Sequence, residues 1–373
     1  MIKLAFVGDI MPGGLMVYEG RISDNIKELL HSFDFRIGTL ETAFGDGSNI
    51  CHIKLGNPKL GTAIYSPDSS ISILKELNIN AVTIANNHSC DCDIKGLYHT
   101  IDLLNQNDIL YFGGGKNHKT AHEPGYIKIK NQTICFLGYY QAYSYLGKPY
   151  IPSEQVGGLN IYNENKVLED IKKYKQVYDY IFVMPHWGTE LSYIPKKEEE
   201  KAARKFIEAG ATAVIGSHTH TVQSIVKYKN GVIAMSLGNF VFPDRYINTP
   251  RITVYPDYKE IVNKNIPESF KFPFVKELTC KRILDKYRIG VICEIIIDGK
   301  NISFKRHYTR LTKDHQLVLT DISKKQKLLY SLIGLMIKDR TSFIHRVYNL
   351  IIRIKKIISN RTYYENSIIK FTC

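Results

Sequence analysis

His218 and His220 stand one residue apart in Gly216-Ser217-His218-Thr219-His220, and a third imidazole, His186, opens His186-Trp187-Gly188-Thr189-Glu190. Two imidazoles at this spacing in an extended loop can face the same way, and neutral imidazole nitrogen beside carboxylate oxygen is a donor set for Zn, Mn or Fe. Carboxylates are present in similar settings: Asp9 in Gly8-Asp9-Ile10-Met11 and Glu41 in Thr39-Leu40-Glu41. The Asn87 amide in Ala85-Asn86-Asn87-His88-Ser89-Cys90-Asp91 adds an oxygen donor. Singly these are ordinary residues, since an Asp after a strand is most often a helix N-cap and a His beside a Trp most often a packed core residue. It is their joint order along the chain that points to a metal site.

Each cluster follows a short apolar stretch of strand type. Strands are predicted over residues 3–7, 35–40, 81–85, 180–184 and 213–215, with further ones at 109–112, 133–137 and 231–236. Amphipathic helices are predicted between them, over 22–30, 69–77, 94–106 and 196–208. Alternating strands and helices specify a layered α/β domain. Open α/β sheets place ligands beyond the carboxyl ends of their strands. Asp9, Glu41, Asn87, His186, His218 and His220 are therefore expected to meet at one sheet edge and bind one or two divalent metals. Mn or Fe suits such a mixed oxygen and nitrogen set slightly better than Zn.

Past the last cluster, Leu237-Gly238-Asn239-Phe240, the pattern changes. Residues 243–288 carry five prolines and mixed charge and read as an insertion or lid. A β-hairpin follows, 289–297 and 302–308 around an Asp298-Gly299 turn, and closes a main domain of residues 1–310. Residues 324–373 read as a basic helical tail, with Leu328, Leu332, Leu335 and Met336, then Ile344, Val347, Ile351, Ile354 and Ile358 at spacings of three and four. This tail either lies on an anionic membrane or a synthase partner, or packs on the main domain.

The bulk composition bounds the partners. Over 373 residues, 44% are hydrophobic and 23% charged, an ordinary globular composition. A formal charge of +14 suits an anionic polymer or lipid surface, or is simply a solvated basic face. No nucleic-acid-binding module accompanies the charge, so no specific nucleic acid is expected. Seven widely spread cysteines in a chain of this size indicate reduced thiols, and Cys90-x-Cys92 lacks the spacing of a metal or redox pair. Apolar runs fall short of the ~20 residues that a spanning helix needs. With the first residues running straight into a strand, no export signal is visible and a cytoplasmic location is expected, with the tail as a peripheral membrane contact.

The motifs quoted above closely resemble the CapA family, named for capsule and poly-γ-glutamate biosynthesis and related to the calcineurin-like metallophosphoesterases. The resemblance covers about residues 2–310 and leaves out the tail. It implies a four-layer α/β/β/α fold with a dinuclear centre at one end of a β-sandwich. By the resemblance, Asp9 and Glu41 supply carboxylates, Glu41 bridges, Asn87, His186 and His218 complete one metal, and His220 serves the other. His88 matches the histidine that acts on the leaving oxygen or the phosphoryl group as general acid or electrostatic stabiliser. Asp91 either orients its ring or N-caps the helix beginning near Ile94. Trp187 and Glu190 are expected to line the substrate pocket, with a stacking face and a hydrogen-bond acceptor.

Three positions depart from the pattern. Phosphoesterases carry Asp-x-His where this chain has Asp9-x-Met11, and a thioether is a poor ligand for hard ions. Thr39 stands for a usual Asn and Thr219 for a usual Pro, while Asn239 is expected to fix a loop near the metals. The function expected is a metal-dependent hydrolase acting on a phosphoester or related bond in cell-surface polymer metabolism. The alternative is a non-catalytic accessory protein that holds an anionic polymer or a synthase. No nucleophile elbow, phosphate-binding loop or Cys–His signature suggests another enzyme class.

Overall fold

Successive side chains of a strand point to opposite faces, so a strand without polar residues needs cover on both. The first strand has this character: Leu4 and Phe6 enter one apolar cluster while Ala5 and Val7 enter another. The computed structural model describes residues 1–45, 63–142, 150–248, 252–254, 277–338 and 364–370.

In chain order, β1 (Ile2–Ile10), α1 (Asp24–His31), β2 (Phe35–Leu40), α2 (Ile71–Glu76), β3 (Ala81–Thr83), α3 (Asp93–Gln106) and β4 (Leu110–Phe112) come first. They are followed by β5 (Gly125–Ile129), β6 (Gln132–Tyr140), α4 (Glu164–Tyr174), β7 (Tyr180–His186), α5 (Lys197–Ala209), β8 (Ala213–Ile215), β9 (Ile225–Tyr228) and β10 (Gly231–Ala234). The chain then runs through β11 (Asn239–Val241), β12 (Arg245–Asn248), β13 (Glu277–Ile283), β14 (Ile289–Asp298), β15 (Asn301–Leu311), β16 (Gln316–Leu319), α6 (Lys324–Lys338) and β17 (Tyr364–Lys370).

The strands form two large sheets. One is ordered β16-β15-β14-β1-β2-β3-β4, with Arg21–Ile22 beyond β16 and β11 alongside β1; the other is ordered β9-β10-β8-β7-β6-β5. Phe6, Phe136, Phe182 and Ile295 pack between the sheets, with the Phe6 and Phe182 rings stacked at 4.9 Å. Ile26, Leu30, Leu74, Leu97 and Ile101 from α1, α2 and α3 cover the outer face of the first sheet. Val167, Ile171, Phe206 and Ile207 from α4 and α5 cover the outer face of the second. Three apolar clusters between four layers make the architecture α/β/β/α, as expected.

The later part of the chain differs from the expectation in several places. The hairpin turn is Gly299-Lys300, one residue beyond Asp298-Gly299, because Asp298 pairs with Asn301 and Gly299 takes φ +56°. Within the expected insertion, β12 and β13 belong to a small sheet ordered Ile252–Val254, β12, β13, β17; residues 249–251 and 255–276 lie outside the described residues.

The tail is not wholly helical. Tyr364–Lys370 is a strand, pairing antiparallel with β13 from Glu277↔Lys370 to Ile283↔Tyr364, so a partner distant in sequence overrides the local pattern. The first part of the tail is helical and packs on the main domain: Tyr330 and Ile333 of α6 are buried, and the Tyr330 ring stacks on Tyr308 of β15 at 6.3 Å. Residues 339–363, including Ile344, Val347, Ile351, Ile354 and Ile358, lie outside the described residues. Among the described residues no helix is long and apolar enough to cross a membrane.

Candidate metal centre

The strand ends bring the polar clusters together. Residues 2–6 of β1 pair with β14, whereas Asp9 pairs with Asn239 of β11 and Thr39 of β2, so Asp9 sits where β1 changes partner. The change requires Gly8, because a Cβ there would overlap the carbonyl oxygen of Gly238, to which Asp9 N–H donates at 3.0 Å. Glu41 follows β2, with its N–H donating to Ile10 O at 2.8 Å. After β3, Asn86 Nδ2 donates to Leu40 O at 2.7 Å and its Oδ1 accepts from His88 N at 3.0 Å, placing the loop that carries Asn87 and His88 beside Glu41.

His186 ends β7, and Ser217, His218 and His220 follow β8. His218 (φ +93°) and His220 (φ +53°) both adopt left-handed backbone, a conformation that costs free energy and concentrates at functional sites. Thr219 between them closes the loop with its hydroxyl, Oγ1 donating to Thr221 O at 3.1 Å.

All six expected ligands converge. His186 Nε2 lies 2.7 Å from Asn87 Oδ1, 3.1 Å from His218 Nδ1 and 3.6 Å from Glu41 Oε1. On the other side of the carboxylate, His220 Nε2 is 3.7 Å from Glu41 Oε1, and the His220 ring lies 3.6 Å from Asp9 Oδ2 through Nδ1. Two donor groups result, Glu41 with His186 and His218, and Asp9 with Glu41 and His220, each with its ligand atoms within 4.8 Å of one another. Glu41 belongs to both. Donors about 3–3.5 Å apart are spaced to surround a cation with bonds of ~2.0–2.2 Å.

The carboxylates fit a cation in another respect. Asp9 and Glu41 are wholly buried, yet among the described residues Asp9 Oδ1 and both Glu41 oxygens accept no hydrogen bond. A buried carboxylate left this way is costly unless a positive charge compensates it. Burial accordingly pushes the Asp9 carboxyl up to about 8, against the His218 N–H that favours its charged form. Burial, then the neighbouring Asp9 and Glu190 carboxylates, raise Glu41 well above the usual range. Burial also pushes the imidazoles down: His186 and His218 fall well below the usual histidine range, and His220 falls to about 3. Three rings held neutral at physiological pH keep their lone pairs available to a metal, while the acids give up their protons when it binds.

Hydrogen bonds aim the rings. His186 Nδ1 meets Ser217 Oγ at 2.9 Å, and Thr39 Oγ1 donates to that same oxygen at 3.1 Å, leaving His186 Nε2 toward Asn87 and Glu41. Thr39, at the position of the usual Asn, thus supports the His186 ring through Ser217. His220 Nδ1 donates to Asn239 Oδ1 at 2.9 Å, and Asn239 Nδ2 donates to Tyr287 O at 2.9 Å, leaving His220 Nε2 toward Glu41.

His88 forms the more open edge, with 13% of its side chain exposed and Nε2 4.0 Å from Glu41 Oε1. Its Nδ1 lies 2.6 Å from Asp91 Oδ2, which also accepts from Ile64 N at 2.6 Å. Asp91 is not the N-cap of α3; that position belongs to Cys92. Glu190 is half-buried, and its charge acts on Glu41.

Trp187 requires correction. It is 1% exposed, its ring packs on Phe206 and Tyr162, and Nε1 donates to Met235 O at 3.3 Å. Side chains alternate along the strand, so with His186 facing the centre, Trp187 faces the helical layer and offers no stacking surface to a substrate. Met11 also turns away, buried in an apolar cluster with Ile64, Phe242, Ile283 and Tyr287. Two residues were not anticipated. Ser217 carried no signal beyond its place beside the HxH pair, and Arg245 lay in the proline-rich span. The buried Arg245 guanidinium sits 5.6 Å from the Phe242 ring centroid, and that ring lies 4.7 Å from the ring of His220.

The chain is 32% identical over 190 residues to the capsule biosynthesis protein CapA of Bacillus anthracis, covering 50% of this chain and 46% of that one. It is 27% identical over 256 residues to the PGA biosynthesis protein CapA of Bacillus subtilis, covering 67% and 65%. The chain thus spans about half to two thirds of the length of these relatives. Among solved structures, a hypothetical protein from Thermus thermophilus is 12% identical with a TM-score of 0.45, covering 82% of this chain and 98% of that one. A putative 5'-nucleotidase from Staphylococcus aureus, solved with alpha-ketoglutarate, is also 12% identical with a TM-score of 0.45, covering 89% and 58%. The family described as bacterial capsule synthesis protein PGA_cap matches residues 3–244, about two thirds of the sequence, and the chain belongs to that family.

Proposed function

We propose that this chain is a metal-dependent hydrolase of the phosphoesterase type, cutting a phosphoester or related polar bond during synthesis of a capsule, polyglutamate or other cell-surface polymer. The observation that carries the reading is Glu41, a buried carboxylate whose two oxygens accept no hydrogen bond among the described residues and which two donor groups share. When bound by Asp9, Glu41, Asn87, His186, His218 and His220, divalent Mn, Fe or Zn would supply positive charge to polarise the scissile group.

The chain's own residues do the rest. Asp91 holds His88 Nδ1, so His88 Nε2 faces Glu41 from the more open side of the site. There it donates a proton to the leaving oxygen as the bond to that oxygen breaks and water adds at the reacting centre, and the proton that the added water gives up restores His88. Glu190 borders the site and biases it toward a cation. The anionic polymer or phosphoester substrate is met by a protein of +14 formal charge. Contact of the tail with a membrane surface or a synthase, in a cytoplasmic protein, belongs to the same proposal.

The test is elemental analysis of the purified protein, paired with assays on a generic phosphodiester and a generic phosphomonoester. Metal-dependent turnover that falls in His88→Ala is expected. A metal-loaded protein inert toward both substrates would favour the accessory reading, in which neutralising exposed Lys and Arg residues, and not replacing His88, abolishes function.

A further inference from the structure

Donors are distributed unevenly about Glu41. On one side His186 Nε2 has Asn87 Oδ1 at 2.7 Å, His218 Nδ1 at 3.1 Å and Glu41 Oε1 at 3.6 Å, a set of four donors from four loops. On the other side the carboxylate and imidazole donors among the described residues are Asp9, Glu41 and His220, three residues of which one is shared. Met11, two residues beyond Asp9, supplies no fourth donor. Its side chain lies instead in the apolar cluster with Ile64, Phe242, Ile283 and Tyr287 and offers a hard cation nothing.

A fixed positive charge adjoins the poorer side. The Arg245 guanidinium is buried against the Phe242 ring at 5.6 Å, and the His220 ring packs on the same phenyl group at 4.7 Å. Arg245 acts on His220 and on Glu41, which both positions share; the neighbours that act on His186 are other imidazoles, and Lys196, the basic side chain that acts on His218, is paired with Glu199 at 3.6 Å. The acids facing Glu41 are Asp9, Glu190 and Asp91. A cation entering beside Asp9 and His220 therefore meets fewer donors and a resident like charge, whereas one entering beside His186 and His218 meets a full set.

We infer that the two positions fill unequally: one divalent cation binds tightly among Glu41, Asn87, His186 and His218. The Asp9–Glu41–His220 position takes a second ion only weakly, because Met11 gives it no donor and Arg245 holds positive charge beside it. The inference rests on the proposed metal centre and deepens it, and it is read without any substrate.

The experiment uses the full chain, stripped with chelator and titrated with Mn²⁺, with bound ion counted by elemental analysis after dialysis and affinities taken from calorimetry. One ion per chain should survive dialysis, and a second should bind about 10-fold or more weakly. Asn87→Ala and His218→Ala should lose the tight ion, and His220→Ala should keep it, with thermal melts showing that each variant is folded. Met11→His, alone and combined with Arg245→Gln, should retain two. Two ions of equal affinity in the unaltered chain, or a tight ion lost from folded His220→Ala and kept by His218→Ala, would overturn the inference while leaving the hydrolase reading intact. A chain that retains one ion and hydrolyses nothing would overturn only the hydrolase reading, and a chain that retains none would overturn both.

Discussion

His88 Nδ1 and Asp91 Oδ2 lie 2.6 Å apart, three residues from each other in a loop that the Ile64 N–H also clamps through Asp91. An imidazole that gives its Nδ1 proton to a carboxylate presents Nε2 in one direction, and here that direction is the Glu41 carboxylate at 4.0 Å. Replacing His88 by Ala should lower kcat about 10²–10⁴-fold, the range for loss of a positioned general acid. Asp91→Asn keeps the imidazole but reverses the preference for its protonated nitrogen, so it should lower kcat by less. It should also move the alkaline limb of the pH–rate profile to lower pH, because the Asp91 charge no longer favours the protonated imidazole, and a change in folding alone would not do this. Steady-state kinetics across pH on both variants provides the check.

Ser217 and Asn239 touch the imidazoles of His186 and His220 from behind. Partners of this kind typically tune metal affinity or activity by about 10–100-fold. Ser217→Ala should therefore weaken retention of the ion held by His186 and leave His88 chemistry otherwise unchanged. Asn239→Ala should act on the His220 side, and competition with a chelator separates the two. Equal retention in Ser217→Ala and the unaltered chain would show that the Thr39–Ser217–His186 chain does not set the geometry.

Protonation makes the metal-free protein sensitive to pH in a direction that can be worked out. The unfolded chain titrates histidine near 6.5, but His220 in the fold is held at about 3 and His186 and His218 well below the usual range. As pH falls below about 6.5 the unfolded state takes up protons that the native state refuses, and stability drops. Asp9 has the opposite sign: its folded value of about 8 lies above its ordinary 3.8, so the native state keeps a proton that the unfolded state has lost, and stability falls as pH rises toward 8. Between about 6.5 and 8 only the raised acids still act. The melting temperature of stripped protein should fall across that window, and Mn²⁺ should abolish the fall because the acids are then charged and compensated. A stripped protein whose melting temperature rises from about pH 6.5 to 8 would contradict the burial of Asp9 and Glu41 as a cation-ready pair.

Much of this site can be read without coordinates, for a physical reason. A strand buried on both faces is a nearly unbroken apolar run, so its end is sharply marked by the first polar residue: Phe35–Leu40 before Glu41 and Ala213–Ile215 before the HxH loop fall where the pattern places them. Side-chain direction at those ends is harder to read. His186 and Trp187 are neighbours in a motif that reads as one pocket, yet the strand's alternation sends one to the centre and the other into the helical layer. Arg245 and the Tyr364–Lys370 strand were hidden differently, because each is defined by a partner far along the chain, Phe242 with His220 for one and β13 for the other. Local pattern carries no information about such partners.

The placement of Trp187 can be tested directly. With its ring against Phe206 and Tyr162 and its Nε1 bonded to Met235 O, the residue belongs to the packing between the second sheet and α5. Trp187→Ala should cost about 3–5 kcal/mol of stability, the range for deleting a large buried aromatic side chain, and denaturant unfolding measures it. Trp187→Phe keeps most of the volume and loses one hydrogen bond, so its cost should be smaller. Because the ring faces away from Glu41 and His88, Trp187→Phe should leave the KM for any substrate unchanged and hold its metal as the unaltered chain does. A KM raised in Trp187→Phe without loss of stability would place the indole back in the substrate pocket.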